Sequence, residues 1–382
     1  MKKTLIAVAA LSAMAASAMA AQVTVYGTAD LGLWFQNTKL SGYEGDNAKL
    51  NGTTRKTTME SGLNSASKFG LKGEEDIGSL KVGFNFEGEV KADTGSSTLF
   101  QRLSVLKVSG AFGALQVGRM GVITGGSNGG VMTAGMGGTG TSFKAGGTEA
   151  LMVTESSRHS NMIQYQTPSF AGFKATVQYS LGDSDNGNLH NSDTFAAIAL
   201  QYSNNGLNVG VGFDQTKPAN RKSLRNTHQP RTIIGFANYD FGAFTGYIGY
   251  QFNQHKFVAP GATYTGLGTG QKETNKVEAN KEKYILEVAA KDRTDYTSHV
   301  VSVAAKIPVC GGNLMPQVGY FKAEDKAETA ADDIKGFNIA TTYTYPLSKR
   351  TTLWGSAAYI QAKQDSVKSK YTSLMAGMTH QF

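Results

Sequence analysis

Gly125-Gly126-Ser127-Asn128-Gly129 spells the Gly-x-Ser-x-Gly pattern in which a strained strand-to-helix turn presents a serine nucleophile. Such an elbow needs a strand before it, a helix after it, and an acid and a histidine downstream. Around Ser127 there is instead a glycine-rich stretch without helical period, so acyl transfer finds no support there. Gly135, Gly137 and Gly140 reproduce the spacing of a dinucleotide-binding turn, but no helix follows to receive a phosphate and no acidic residue stands about twenty positions on. Asp183-Ser184-Asp185-Asn186-Gly187 begins like a calcium loop, yet its glycine comes one place early and Thr194 stands where a bidentate glutamate belongs. The six histidines, His159, His190, His228, His255, His299 and His380, show no metal-ligand spacing. A single cysteine, Cys310, excludes an intramolecular disulfide or a thiolate-built metal site. No catalytic group, metal or cofactor is expected.

Composition narrows the class. Of 382 residues 46 are glycine and 17% are charged, against roughly 7% and roughly 25% in average usage. Forty per cent hydrophobic residues argue against disorder, and the glycines lack the three-residue period of collagen. Lys2 and Lys3 precede an apolar stretch from Leu5 to Ala16 and then Ala18-Met19-Ala20, the pattern of a cleaved secretory signal over residues 1–20, which leaves 21–382 as one domain. Removing two lysines lowers the formal charge of +8 only slightly. The cations are dispersed, with no basic stripe interleaved with aromatics, so nucleic acid is not an expected partner. No later segment approaches the 18 or so apolar residues of a membrane-spanning helix. An exported soluble protein and a membrane β-barrel remain.

The mature chain alternates apolar and polar residues over about ten positions, then breaks at Gly, Asn or Pro, then alternates again. Phe173, Ala175, Val177, Tyr179 and Leu181 alternate with Lys174, Thr176, Gln178 and Ser180, and Leu80, Val82, Phe84 and Phe86 with Lys81, Gly83, Asn85 and Glu87. Each run thus has one apolar and one polar face. A β-sandwich would show the same, but here tight breaks, as at Asn204-Asn205-Gly206, take turns with long polar stretches near 37–56, 121–156, 182–191, 217–230, 256–296, 324–334 and 364–370. That asymmetry is the outer-membrane barrel pattern. The runs fall near 22–36, 57–75, 79–92, 98–110, 114–120, 157–167, 172–181, 192–203, 207–216, 231–240, 244–255, 297–307, 313–323, 335–345, 350–363 and 371–382. Sixteen is the even number that closure requires, and the expected fold is an all-β, 16-stranded antiparallel transmembrane β-barrel. Pro316 is discordant, because a closed barrel has no edge strand to excuse its missing donor, so its strand is expected to start after it. Trp34, Phe35, Tyr239, Phe241, Phe244, Tyr345 and Phe382 fall near strand ends, where they would form interfacial girdles, and Trp354 could equally be a subunit contact.

Ordered segments carry a further signal. Val23-Thr24-Val25-Tyr26-Gly27-Thr28-Ala29-Asp30, Ser67-Lys68-Phe69-Gly70-Leu71-Lys72-Gly73-Glu74-Glu75-Asp76, Phe112-Gly113 with Val117-Gly118-Arg119, Tyr165-Gln166-Thr167-Pro168-Ser169-Phe170, Leu347-Ser348-Lys349-Arg350-Thr351 and the terminal Phe382 follow one another at characteristic spacing. In these the chain resembles the trimeric general porins of Gram-negative outer membranes, most closely those of betaproteobacteria, over essentially its whole mature length. The resemblance implies a homotrimer in the outer membrane, with one water-filled pore per subunit for small hydrophilic solutes and ions. It also implies an inward-folded third loop that constricts the pore, against whose wall the loop's glycines would pack.

In that family basic residues on the wall face acidic residues on the loop. Matched by motif, Lys68, Arg102 and Arg158 take the wall positions, with Arg119 a further candidate. Between Arg119 and Thr148 there is no Asp or Glu, so the loop acids left are Glu149 and Glu155, and Lys144 adds a positive charge. A net positive constriction and a preference for anions are therefore expected, since a narrow passage focuses the potential of its lining. Loop cations such as Lys217, Arg221, Lys222 and Arg225 would face anionic lipopolysaccharide or solvent. The alternatives are a substrate-selective channel with a ladder of binding residues and an outer-membrane hydrolase dependent on Ser127.

Overall fold

The structure, a computed structural model, describes residues 23–125, 147–152, 158–182, 193–217, 229–256, 259–260, 262–265, 267, 295–326 and 333–382. Seventeen strand segments form one antiparallel sheet: β1 (Thr24–Ser41), β2 (Gly52–Ser61), β3 (Lys68–Ile77), β4 (Leu80–Val90), β5 (Ser97–Gly110), β6 (Gly113–Gly121), β7 (Arg158–Gln166), β8 (Phe173–Ser180), β9 (Thr194–Asn204), β10 (Leu207–Lys217), β11 (Arg231–Asp240), β12 (Thr245–Lys256), β13 (Tyr296–Val309), β14 (Gly312–Asp325), β15 (Ile334–Pro346), β16 (Thr351–Gln364) and β17 (Val367–Gln381). Two short helices, α1 (Thr148–Leu151) and α2 (Ala262–Thr265), lie in connections. β1 pairs with β17 from Thr28↔Gln381 to Ser41↔Lys368, which closes the sheet. Closure leaves no unpaired edge in hydrocarbon, where an unsatisfied backbone group would cost several kcal/mol.

β1 also pairs with β2 through Leu31–Leu40 and with β3 through Thr24–Thr28, so β2 and β3 are two halves of one wall strand and the wall has sixteen. The expected run 57–75 is therefore interrupted. Gly62, at φ +74°, turns the chain off the wall and residues 62–67 step inward, with Leu63 fully buried. The step is tied to β1: the Gly62 amide and the hydroxyls of Ser61 and Ser67 all donate to the Asp30 carbonyl.

Sidedness follows the period of two. Outward residues such as Leu33, Ile198, Val211, Ile248, Val303 and Ile339 are exposed, while Thr176, Gln178, Gln251, Asn253, Ser302, Gln317 and Thr342 point in and are buried among polar neighbours. An apolar exterior over a polar interior inverts a soluble protein and suits lipid outside and water within. Two-residue turns such as Gly78-Ser79 and Asn205-Gly206 mark one rim. Phe382 exchanges backbone hydrogen bonds with Gly27 there, which brings the start of β1 and the end of β17 to the turn side.

Three further sequence expectations need correction. Residues 364–370 are not a loop: β16 and β17 meet at a tight turn over Asp365 and Ser366, with Asp365 at φ +49°. The strands there overshoot the roughly 9–11 residues needed to cross a bilayer, so their polar ends read as loop. Pro316 lies inside β14, opposite Thr341 of β15, and the strand begins at Gly312. On its other side the β13–β14 register passes from Ala304↔Gln317 to Ile307↔Leu314, so no ladder bond is asked of the proline. Trp34 and Trp354 are interior residues and not girdle or subunit-contact residues: their indoles donate to the Ser373 hydroxyl at 2.9 Å and to the Asp30 carboxylate at 3.1 Å. Tyr239, Phe241, Phe244, Tyr345 and Phe382 are exposed at the turn rim, as expected of a girdle.

Candidate functional site: the pore wall

Tyr26, Gly70 and Glu87 form one inward cross-strand row on β1, β3 and β4. Gly70 has to be glycine here, because a Cβ on it would stand 2.4 Å from the Tyr26 ring. The phenol therefore lies flat across β3 and donates to Asn85 at 2.7 Å and Glu87 at 3.2 Å. Glu87 is only 4% exposed and takes two cations: Lys68 at 3.3 Å on one carboxylate oxygen and Arg102 at 2.8 Å on the other.

An irregular stretch aims the arginines. The β4–β5 register jumps between Glu87↔Leu103 and Glu89↔Thr98, and Phe100 turns at φ 56° while its carbonyl accepts from the Ser104 hydroxyl at 2.7 Å. This excursion swings Arg102 toward Glu87. The β5–β6 ladder stops at Ser104↔Arg119, and the carbonyls beyond it are claimed by side chains: Arg119 Nε donates to Gln101 at 2.7 Å and Arg158 Nε to Arg102 at 3.1 Å. Arg119 Nη1 also reaches the Ser160 hydroxyl at 2.8 Å. Lys68, Arg102 and Arg158 thus gather around one carboxylate and one carbonyl. Arg119 bridges β5 to β7 and makes no bond to Glu87 among its described contacts.

The third long connection, between β6 and β7, enters the lumen at both described ends. After β6 the Ile123 amide donates to Gln178 Oε1 at 3.0 Å, Gln178 Nε2 returns to the Gly121 carbonyl at 2.9 Å, and the Thr124 hydroxyl bonds to Asp214 of β10. Before β7, Leu151 at the end of α1 is fully buried, and a Cβ on Gly319 of β14, across the barrel, would lie 2.7 Å from its Cδ1. The connection accordingly reaches the wall opposite its own strands. Glu149 lies in α1, its side chain outside the described residues; Glu155 lies outside them entirely, as do Ser127, residues 135–140 and 183–187, Arg221, Lys222 and Arg225.

Leu151 rests on an apolar inner patch of Trp34, Val300, Phe321, Ile334, Ile360 and Met375. Leu63 joins it from the inward step, and Ala259 and Leu267 from the β12–β13 connection, whose Tyr264 ring lies tilted against that of Tyr371 with centroids 5.4 Å apart. On this side the interior is apolar because loops, not water, cover it.

These features meet in comparison with known proteins. Residues 7–365 match the family model of Gram-negative porins. The chain belongs to that family. It is similar to an outer membrane porin protein of Bordetella pertussis, 27% identical over 413 residues and covering 100% of both chains, and to outer membrane porin protein 32 of Delftia acidovorans, 27% identical over 372 residues covering 96% of this chain and 91% of the relative. Among solved structures, the anion-selective porin from Comamonas acidovorans superposes with a TM-score of 0.67 at 23% identity, covering 95% of this chain and 100% of that one. The porin is an outer-membrane protein, and its barrel is a water-filled channel for passive diffusion of small hydrophilic solutes and ions.

Glu87, on the wall, is an acid of the site that the sequence reading does not name. Its signal lies in the sequence, since Lys81, Gly83, Asn85 and Glu87 share the polar face of one run and Lys68 occupies the polar face of the preceding one.

Proposed function

We propose that the channel prefers anions, with Lys68, Arg102 and Arg158 setting the sign of the potential at the narrow level and Arg119 adding to it from behind. The observation that supports this reading is the ratio at the site: Lys68, Arg102 and Arg158 gather about Glu87, with Glu89 opposite Lys68 in the next row, and Arg119 adds a fourth cation against these two acids. The positive excess acts across a lumen narrowed by the third loop, where field lines are focused. Glu149 and Glu155 would offset that excess from the loop side. The Comamonas protein is itself described as an anion-selective porin. In this reading no bond is broken and no cofactor takes part. Residues 1–20 serve as a cleaved export signal, the mature chain works as a homotrimer, and its outer surface meets lipid and lipopolysaccharide; one solved outer membrane protein of this fold, from Vibrio cholerae, is described in a trimer form.

The test is the reversal potential of purified protein in a planar bilayer across a salt gradient. A potential of the sign set by anion flow is expected, and clear cation preference would overturn the reading.

A further inference from the structure

The third connection shares its seat on the inner wall with another. Residues 257–295 join β12 to β13, yet their helix α2 packs against β16 and β17. Those strands stand three and four places beyond β13 in the sheet, about 14–19 Å along the wall at about 4.8 Å per strand. The contact is on the inside: the Tyr264 ring lies against that of Tyr371, which shares the inward face of β17 with Ser373 and Met375. A segment that leaves β12 and meets that face has to enter the lumen. Ala259, Ala262, Thr265 and Leu267 are buried there with it.

Gly319, Asn338, Ile360 and Tyr371 form one inward cross-strand row over β14–β17. Leu151 of the third connection abuts the β14 end of this row at Gly319, and Tyr264 abuts its β17 end. Asn338 and Ile360 between them are fully buried, although they face the inside of a water-filled barrel, so the two loops together shut water out of this side. The neck of the connection is built for that course. The β12–β13 register shifts between Asn253 and Lys256, and His255 turns at φ 57°, a bulge that bends its strand. His255 Nδ1 lies 3.1 Å from the Asp295 carboxylate, the Asp295 amide donates to Asp325 at 2.9 Å, and its carbonyl accepts from the Lys326 amide at 2.8 Å.

We propose that the β12–β13 connection is a second constricting element of the pore, with Tyr264 and Leu267 setting the size limit from its side. It confines passage to the wall of β3–β5, where Lys68 and Arg102 stand. Strands about 4.8 Å apart and tilted about 40° close, sixteen together, on a circle about 32 Å across. About 22 Å of that is clear of wall side chains, and a helical turn with its own side chains, about 10 Å wide, fills about a quarter of the section. The inference concerns how large a solute passes; the ion preference of the pore is read separately, by the sign of the reversal potential.

Single-channel conductance, and swelling of proteoliposomes in neutral sugars of increasing size, would be measured for full-length porin, for Y264A/L267A and for L50A, whose side chain is exposed between β1 and β2. The double variant should conduct at least about 1.3-fold more, by the section that α2 vacates, and admit larger sugars, while L50A behaves like the parent. Cover is read by thiol labelling: Ile360→Cys, with Cys310→Ser, should react slowly with a charged methanethiosulfonate, and at least about tenfold faster once Y264A/L267A removes two buried anchors. Gln164→Cys with Cys310→Ser, on the inward face of β7, supplies the rate of an open lumen position. Should Y264A/L267A not fold, labelling of Ile360→Cys in the otherwise parental chain decides alone. Parental conductance and sugar limit in folded Y264A/L267A, or labelling of Ile360→Cys as fast as that of Gln164→Cys, would overturn the proposal.

Discussion

Replacing Arg102 with glutamine removes one positive charge from the pore wall and leaves Glu87 to Lys68 alone, 3.3 Å away; replacing Glu87 with glutamine removes the acid that pairs with both cations and leaves the cations in place. The two changes are equal and opposite in charge at almost the same point. For a hydrated ion passing about 6 Å from that point in water, one unit charge contributes about 0.7 kcal/mol. At 0.1 M salt the Debye length of about 10 Å reduces this to about 0.4 kcal/mol, and at 1 M to about 0.1 kcal/mol. An anion and a cation respond in opposite senses, so the anion-to-cation permeability ratio should change about three- to fourfold at 0.1 M and by less than about twofold at 1 M. Arg102→Gln lowers the ratio and Glu87→Gln raises it. The assay is the reversal potential of single channels across a fixed gradient, repeated at both mean ionic strengths, with conductance as a control for pore width. A shift of the same sign in both variants would refute the electrostatic reasoning. So would a shift that persists undiminished at 1 M, because it would arise from altered width or from a binding site and not from screened charge.

Gly70→Ala places a Cβ 2.4 Å from the Tyr26 ring; the phenol must lift off β3 and release Asn85 and Glu87, at a cost of about 1–3 kcal/mol, measurable as a lower midpoint in heat or guanidinium unfolding of the detergent-folded barrel. Leu151→Ala empties the seat of α1 on the inner patch, about 2–5 kcal/mol of anchoring. The released loop should raise open-channel noise and single-channel conductance while the barrel's own unfolding midpoint stays within a degree or two of the parent's. Asp30→Asn weakens the acceptor held by the Trp354 indole, the Asn64 amide and the Thr379 hydroxyl, and a loss of about 1.5–3 kcal/mol is expected for hydrogen bonds to a charged group. Its signature is earlier protease cutting at the inward step 62–67, read by mass spectrometry of limited digests.

The wall was legible because each of its residues has to satisfy two solvents at once. Phe173 to Ser180 alternate without exception, and β8 was found within a residue of its expected bounds; the β11 run at 231–240 matched outright. Alternation reports side-chain facing, however, and says nothing of what covers the inner face. Trp34, Phe321, Ile334, Ile360 and Met375 all sit at inward positions, where a pore of water alone would call for polar groups, and alternation by itself does not set such residues apart from girdle members. Their apolarity records where loops rest, a contact between residues hundreds of positions apart that no local period carries. The same limit explains Glu87. The resemblance points to charge partners on the loop, whereas a carboxylate on the wall beside a bulge can be paired with Lys68 and Arg102 only once the register of β3, β4 and β5 is known. The irregular positions Phe100 and Pro316 break the pattern, yet the first aims a charged side chain and the second lies where no donor is needed. In a barrel wall, then, departures from period two mark the places where the channel's own chemistry and its loops are attached.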